Sequence, residues 1–119
     1  MKITFETAKL AKEKGLDQSE FERKGLLYDE KGNETGWEML YNYSENHFRI
    51  LNQSELQTWL RNKGVMVEVT FYTCDDGVEY SVEVCHEKTW DTKSEFTKDT
   101  FKSYEKALER GLQEGLKLL

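Results

Sequence analysis

Two alternating runs separated by a short acidic turn constrain this chain more than any other feature. Val65, Val67, Val69 and Phe71 alternate with Met66, Glu68, Thr70 and Tyr72; further on, Val78, Tyr80, Val82 and Val84 alternate with Glu79, Ser81, Glu83 and Cys85. Successive side chains of a strand point to opposite faces, so each run predicts a strand with one apolar face. Asp76-Gly77 stands between them and suits a tight two-residue turn, in which both central residues must accept positive φ. Such a turn pairs Thr73 with Tyr80, Phe71 with Val82 and Val69 with Val84, laying the apolar faces together. A loop one residue longer pairs Phe71 with Ser81 and splits them. The expected outer face then sets Glu68, Thr70, Tyr72 and Cys74 against Cys85, Glu83, Ser81 and Glu79.

A lone hairpin is marginal in water and needs a partner for its apolar face. The end of the chain supplies one. From Ser103 onwards Ala107, Leu108, Gly111, Leu112, Gly115, Leu116 and Leu119 recur at helical spacing on one face. Glycine inside a helix costs about 1 kcal/mol relative to alanine, so Gly111 and Gly115 predict a close approach to the sheet. A second helix starts from Asn52-Gln53-Ser54-Glu55, a capping-box pattern, buries Leu56, Trp59 and Leu60, and ends at Gly64. A first helix runs over residues 4–14, capped by Thr4, with a stripe of Phe5, Ala8, Leu10 and Ala11 and with Gly15 as its left-handed stop.

Residues 17–25 carry poor signal and read as irregular or a short helical turn. Asp29-Glu30-Lys31-Gly32-Asn33 is a turn cluster between Leu26-Leu27-Tyr28 and an alternating run of Trp37, Met39, Tyr41 and Tyr43, which predicts a first hairpin; Leu40 breaks the alternation. The polar stretch 86–102, anchored by Trp90, Phe96 and Phe101, has room for one edge strand. The order is thus α-ββ-α-ββ-α, antiparallel hairpins packed against about three helices, an α+β fold. At 119 residues with no linker or repeat, the expectation is one domain spanning 1–119. An aromatic fraction of 13% favours a packed core over disorder despite 34% charged residues.

The charge is −6, from 17 basic and 23 acidic residues, which argues against a phosphate-binding surface. The opening MKITFETAKLAKEKG has no continuous apolar stretch, so no signal peptide is expected, and no window is apolar enough for a membrane span. A cytoplasmic location and reduced thiols are the expectation. Cys74, Cys85 and the two histidines show no Cys-x-x-Cys or His-x-x-x-His spacing, so no metal is expected. No nucleophile elbow or glycine-rich phosphate loop occurs, so neither cofactor nor catalytic residue is expected, and the chain reads as a non-enzyme. What remains is the outer face of the second hairpin: Glu68, Tyr72, Glu79 and Glu83 form a candidate protein-binding face, with one aromatic anchor among carboxylates that match a basic partner. The bland alternative is a solvated sheet face. Trp37 and Trp90 are further candidate anchors, although core packing suits each of them as well.

Three segments, MKITFETAKLAKEKG, QSELQTWLRNKGV and FKSYEKALERGLQEGLKLL, resemble a group of small uncharacterised phage and prophage proteins of Bacteroidetes. The match is spread along the whole length and rests on helix ends, so it carries over no functional residue. It implies a virus-encoded protein in a bacterial host cell. In that setting the expectation is a protein that binds and inhibits a host protein, including anti-defence inhibitors of the anti-CRISPR kind, whose targets expose basic channels for nucleic acid. The alternative is an accessory protein of phage replication or gene regulation, touching nucleic acid through Arg49, Arg61 and Lys63. A homo-oligomeric structural role and an unrecognised enzyme are the remaining readings.

Overall fold

The computed structural model describes residues 1–16, 24–39, 47–89 and 99–119. The readings for Leu40, Tyr41, Tyr43, Trp90 and Phe96, for residues 17–23 and for the side chains of Leu26, Trp37 and Met39 lie outside the described residues. The chain has the expected α+β composition and order: α1 (Phe5–Glu13), β1 (Lys24–Tyr28), β2 (Glu34–Met39), β3 (Phe48–Arg49), α2 (Gln53–Asn62), β4 (Val65–Cys74), β5 (Gly77–His86), a 3-10 turn at Glu87–Thr89 and α3 (Tyr104–Lys117). It divides into two compact units, one of residues 2–52 and one of Met1 with residues 53–119.

In the first unit, α1 begins where the Thr4 hydroxyl accepts from the Thr7 amide at 3.3 Å. It stops in a Schellman turn: Gly15, at φ 104, donates to the Lys12 carbonyl and Leu16 donates back to Ala11. Thr7, which the apolar stripe did not include, is buried beside Ala8 and Ala11. β1 pairs antiparallel with β2 across the predicted turn cluster, where the Asp29 carboxylate accepts from the amides of Lys31 and Asn33, both at 2.9 Å. The other edge of β1 takes the short strand β3, which the sequence pattern did not signal, giving the strand order β2-β1-β3. Two residues carry no readable period, which is why this strand escapes a pattern search. Phe5 on α1 meets Tyr28 and Phe48 edge-on at 5.6 and 5.5 Å and so anchors the helix to this sheet.

In the second unit, β4 and β5 form a separate two-stranded sheet, so the two hairpins do not share a sheet. Their register differs from the expected one by two residues: Cys74 faces Gly77, Phe71 faces Tyr80, Val69 faces Val82 and Val67 faces Val84. The turn residues are Asp75 and Asp76, and the positive φ falls on Gly77 alone, at 118. A turn centred on Asp76-Gly77 demands positive φ of the aspartate as well, which costs a residue with a Cβ and nothing for glycine. Since two is the period of a strand, the shift keeps every side chain on its expected face but changes what opposes it.

α3 packs on this hairpin along the predicted stripe. Ser103 caps it, its hydroxyl accepting from the Lys106 amide at 3.2 Å, and Ala107, Leu108, Gly111, Leu112, Gly115 and Leu116 are all buried. Leu119 is a correction: it lies past the end of the helix and is 37% exposed. Leu56, Trp59 and Leu60 of α2 are buried as expected, and Gly64 stops that helix at φ 88. The cover over the hairpin is incomplete. Val65, Val67, Val82 and Val84 are buried, whereas Phe71 and Val78, on the same face nearer the turn, are 69% and 43% exposed. Of the polar stretch before α3, Phe101 forms a single bridge to Tyr80.

Candidate protein-binding face

The outer face of the β4–β5 hairpin gathers the residues singled out above, in new partnerships. Tyr72 faces Glu79 and donates its hydroxyl to the carboxylate at 3.2 Å. Thr70 faces Ser81, their hydroxyls sharing a hydrogen bond at 2.9 Å, and Met66 faces Cys85. Glu68 faces Glu83, and neither makes an ion pair with any described residue. Like charges directly opposed on neighbouring strands are unfavourable to the hairpin itself. The four candidates thus split into a bonded pair near the turn and a repelling pair further along. Met66 and Tyr72 add apolar surface, 40% and 42% exposed.

One member of this face was not legible in the sequence. Lys102 reaches Glu79 with Nζ at 3.0 Å. It arrives because Phe101, its neighbour, exchanges both backbone hydrogen bonds with Tyr80 at 2.9 and 2.8 Å. No local pattern links positions so far apart in the chain. The Lys102 hydrogen bond is the main cause that holds the Glu79 carboxyl below the ordinary glutamate range, while Lys102 itself is pushed up by the same contact. Tyr72 is pushed up, first by desolvation and then by its bond to Glu79. Because the carboxyl of Glu79 is lowered on folding, its contribution favours the native state at neutral pH and fades as the pH falls through the lowered value. Lys102 is exposed and Glu79 only half-buried, so that contribution is small. A carboxyl-detected NMR titration should find Glu79 below a typical surface glutamate and find it raised in Lys102→Met. An unchanged titration in that variant would show that the ion pair does not form.

The same register governs the cysteines. Cys74 sits beside the turn facing Gly77, and Cys85 faces Met66 near the opposite end, about eight residues or roughly 27 Å along the sheet. A disulfide needs Cα atoms within about 7 Å, so this pair cannot bridge in the fold. Thiol titration should count two free thiols per monomer under denaturing, non-reducing conditions, with exposed Cys74 reacting before half-buried Cys85 in the native state. A count of zero at intact monomer mass contradicts the register.

Other sites offer less. Among the described residues no group of three or more His, Cys, Asp and Glu side chains is placed to hold a metal ion, and no helix is long and apolar enough to cross a membrane. Of the three cations suggested for nucleic acid, Arg49 is only 6% exposed, and Lys63 lies over the Trp59 ring at 5.4 Å. A shallow hollow in the first unit is lined by Asp29, Glu30, Lys31, Asn33 and His47, but the Asp29 carboxylate there already serves the turn. A second hollow, in the other unit, includes Gln53, whose amide is bonded to the Glu105 carbonyl and the Glu109 carboxylate. No protein-family model, curated protein or solved structure matches this chain.

Proposed function

We propose that this chain is a non-enzymatic binding protein that engages a basic surface of another protein through the outer face of β4 and β5. The observation that carries the reading is Glu68 set against Glu83 on an exposed face that also presents Met66 and Tyr72. A hairpin gains nothing from that opposition, whereas a cationic group inserted from outside between the two carboxylates relieves it. Glu79 plays a different part: Lys102 already neutralises it, so it holds Tyr72 in place by accepting its hydroxyl. The charge of −6 agrees with such a partner. In the phage setting suggested by the resemblance, the partner is a host protein with a basic surface in the bacterial cytoplasm, and the role is inhibition, with nucleic-acid-binding immune effectors among the fitting targets.

The competing reading, a replication or regulatory accessory that holds nucleic acid itself, makes an opposite prediction for the isolated protein. Gel-shift series with single- and double-stranded DNA and RNA near physiological salt should show no submicromolar binding. Tight, salt-sensitive shifts would overturn the protein-partner reading in favour of the accessory one. Burial of Arg49 already removes one of the three cations on which that alternative relied.

A further inference from the structure

Strand β4 has a second edge. Tyr80 exchanges both of its backbone hydrogen bonds with Phe101, so its amide and carbonyl point away from β4. Directly opposed residues of an antiparallel pair either bond each other through both groups or point both sets outwards. Phe71, opposite Tyr80, therefore turns its N–H and C=O away from β5, and by the period of two so do Val67, Val69 and Thr73. Val67 bears out this phase, since its carbonyl accepts from Gln57 Nε2 on α2 at 2.6 Å. Past that contact, the outward groups of Val69, Phe71 and Thr73 meet no partner among the described residues.

The open stretch reads Val-Thr-Phe-Tyr-Thr, all β-branched or aromatic, with no charge, proline or register break. Native edge strands are usually blunted by such devices, because an unblunted edge recruits another strand. Phe71 and Val78 leave apolar surface exposed beside it. We propose that β4 pairs with β4 of a second copy of this chain, antiparallel about a twofold axis at Phe71, to join two hairpins into one four-stranded sheet.

A second copy is an occupant whose open groups match this edge in number and spacing and bring no charge against it. The outward residues 69, 71 and 73 are evenly disposed about Phe71, so Phe71 faces Phe71 of the second copy and Val69 faces its Thr73. Each of these three pairs exchanges two bonds, about six in all. A register slipped by two either demands the Val67 carbonyl, which Gln57 occupies, or runs into the Asp75-Asp76 turn. On the outer face the pairing sets Thr70 against Tyr72 and Glu68 against Cys74 of the second copy, so no acid opposes an acid. The two outer faces end on the same side of the joined sheet. Dimerisation is therefore independent of the partner proposed above, and the failure of one reading leaves the other standing.

Five paired residues and two phenylalanine rings bury less than the roughly 1,600 Å² of a standard interface, so the dimer is weak and concentration-dependent. Sedimentation of the full chain from about 5 µM to about 0.5 mM, a span that brackets weak association, should show the apparent mass rising from 14.1 kDa towards twice that value. Phe71→Lys places like charges face to face at the axis. Thr73→Pro deletes an outward amide that the hairpin itself does not use, a position where strands tolerate proline. Both variants should keep the parental circular-dichroism spectrum and sediment as monomers throughout. A parent that stays monomeric across the range overturns the proposal, and so does a dimer that both folded variants form as readily as the parent.

Discussion

Gly111→Leu should destabilise the protein by about 3 kcal/mol, a large part of the roughly 5–15 kcal/mol that holds a typical domain together. A Cβ at this position would fall inside contact distance of Val82 Cγ2 and 2.7 Å from Val67 Cγ1. Carbon atoms prefer about 3.5–4.0 Å. Both valines are buried and β-branched, with little rotamer freedom to retreat. Gly115 is a graded control, because a Cβ there meets Val67, Val65 and Leu60 at 3.1–3.3 Å, tight but within reach of a small adjustment. Replacing glycine by alanine in a helix gains about 1 kcal/mol of propensity. Gly115→Ala should therefore come out near neutral, while Gly111→Ala should lose stability despite the same gain. Urea denaturation midpoints rank the three variants. If Gly111→Leu unfolds at a higher urea concentration than the parent, α3 does not approach the sheet at this point.

The close approach was legible because the pattern needs a reason for two glycines inside an otherwise strong helix, and packing against a sheet supplies one. The hairpin was legible for a similar reason, since eight alternating positions on each strand leave one assignment of faces. Its register was not. Moving the turn by one residue slips the pairing by two, and that slip preserves both faces, so hydrophobicity cannot distinguish the two solutions. The backbone requirement at Asp76 decides between them. Lys102 was invisible because its contact with Glu79 depends on Phe101 finding Tyr80 across the fold, and β3 because two residues are too short to show a period. The consequence for the candidate face is specific. The expected register set Glu68 opposite Cys85 and Glu83 opposite Thr70, a candidate face in which no two acids oppose each other. The observed one sets the two glutamates against each other.

Charge reversal on that pair should have the second large effect, on binding instead of folding. In Glu83→Lys, position 83 carries a cation opposite Glu68, so the cross-strand repulsion becomes attraction and the variant should melt at or above the parental temperature. Its capture of a basic partner should nevertheless fall several-fold. Glu68→Lys/Glu83→Lys removes both acidic groups and presents two cations, and its capture should fall by about tenfold or more, since losing a charge-matched contact costs a few kcal/mol of binding. A surface in which stability and binding move in opposite directions is a signature that a merely solvated face does not give. Added salt should weaken capture by the parent, because the screening length contracts from about 10 Å at 0.1 M to about 3 Å at 1 M.

Affinity capture from a bacterial lysate, run in parallel with the parent and with Glu68→Lys/Glu83→Lys at low and high salt, tests the central claim most directly. Mass spectrometry of the eluates should find a protein with a basic surface that the parent retains at low salt, releases at high salt, and that the folded variant fails to retain. Equal capture of the same proteins by parent and variant, or capture indifferent to salt, contradicts binding through this face.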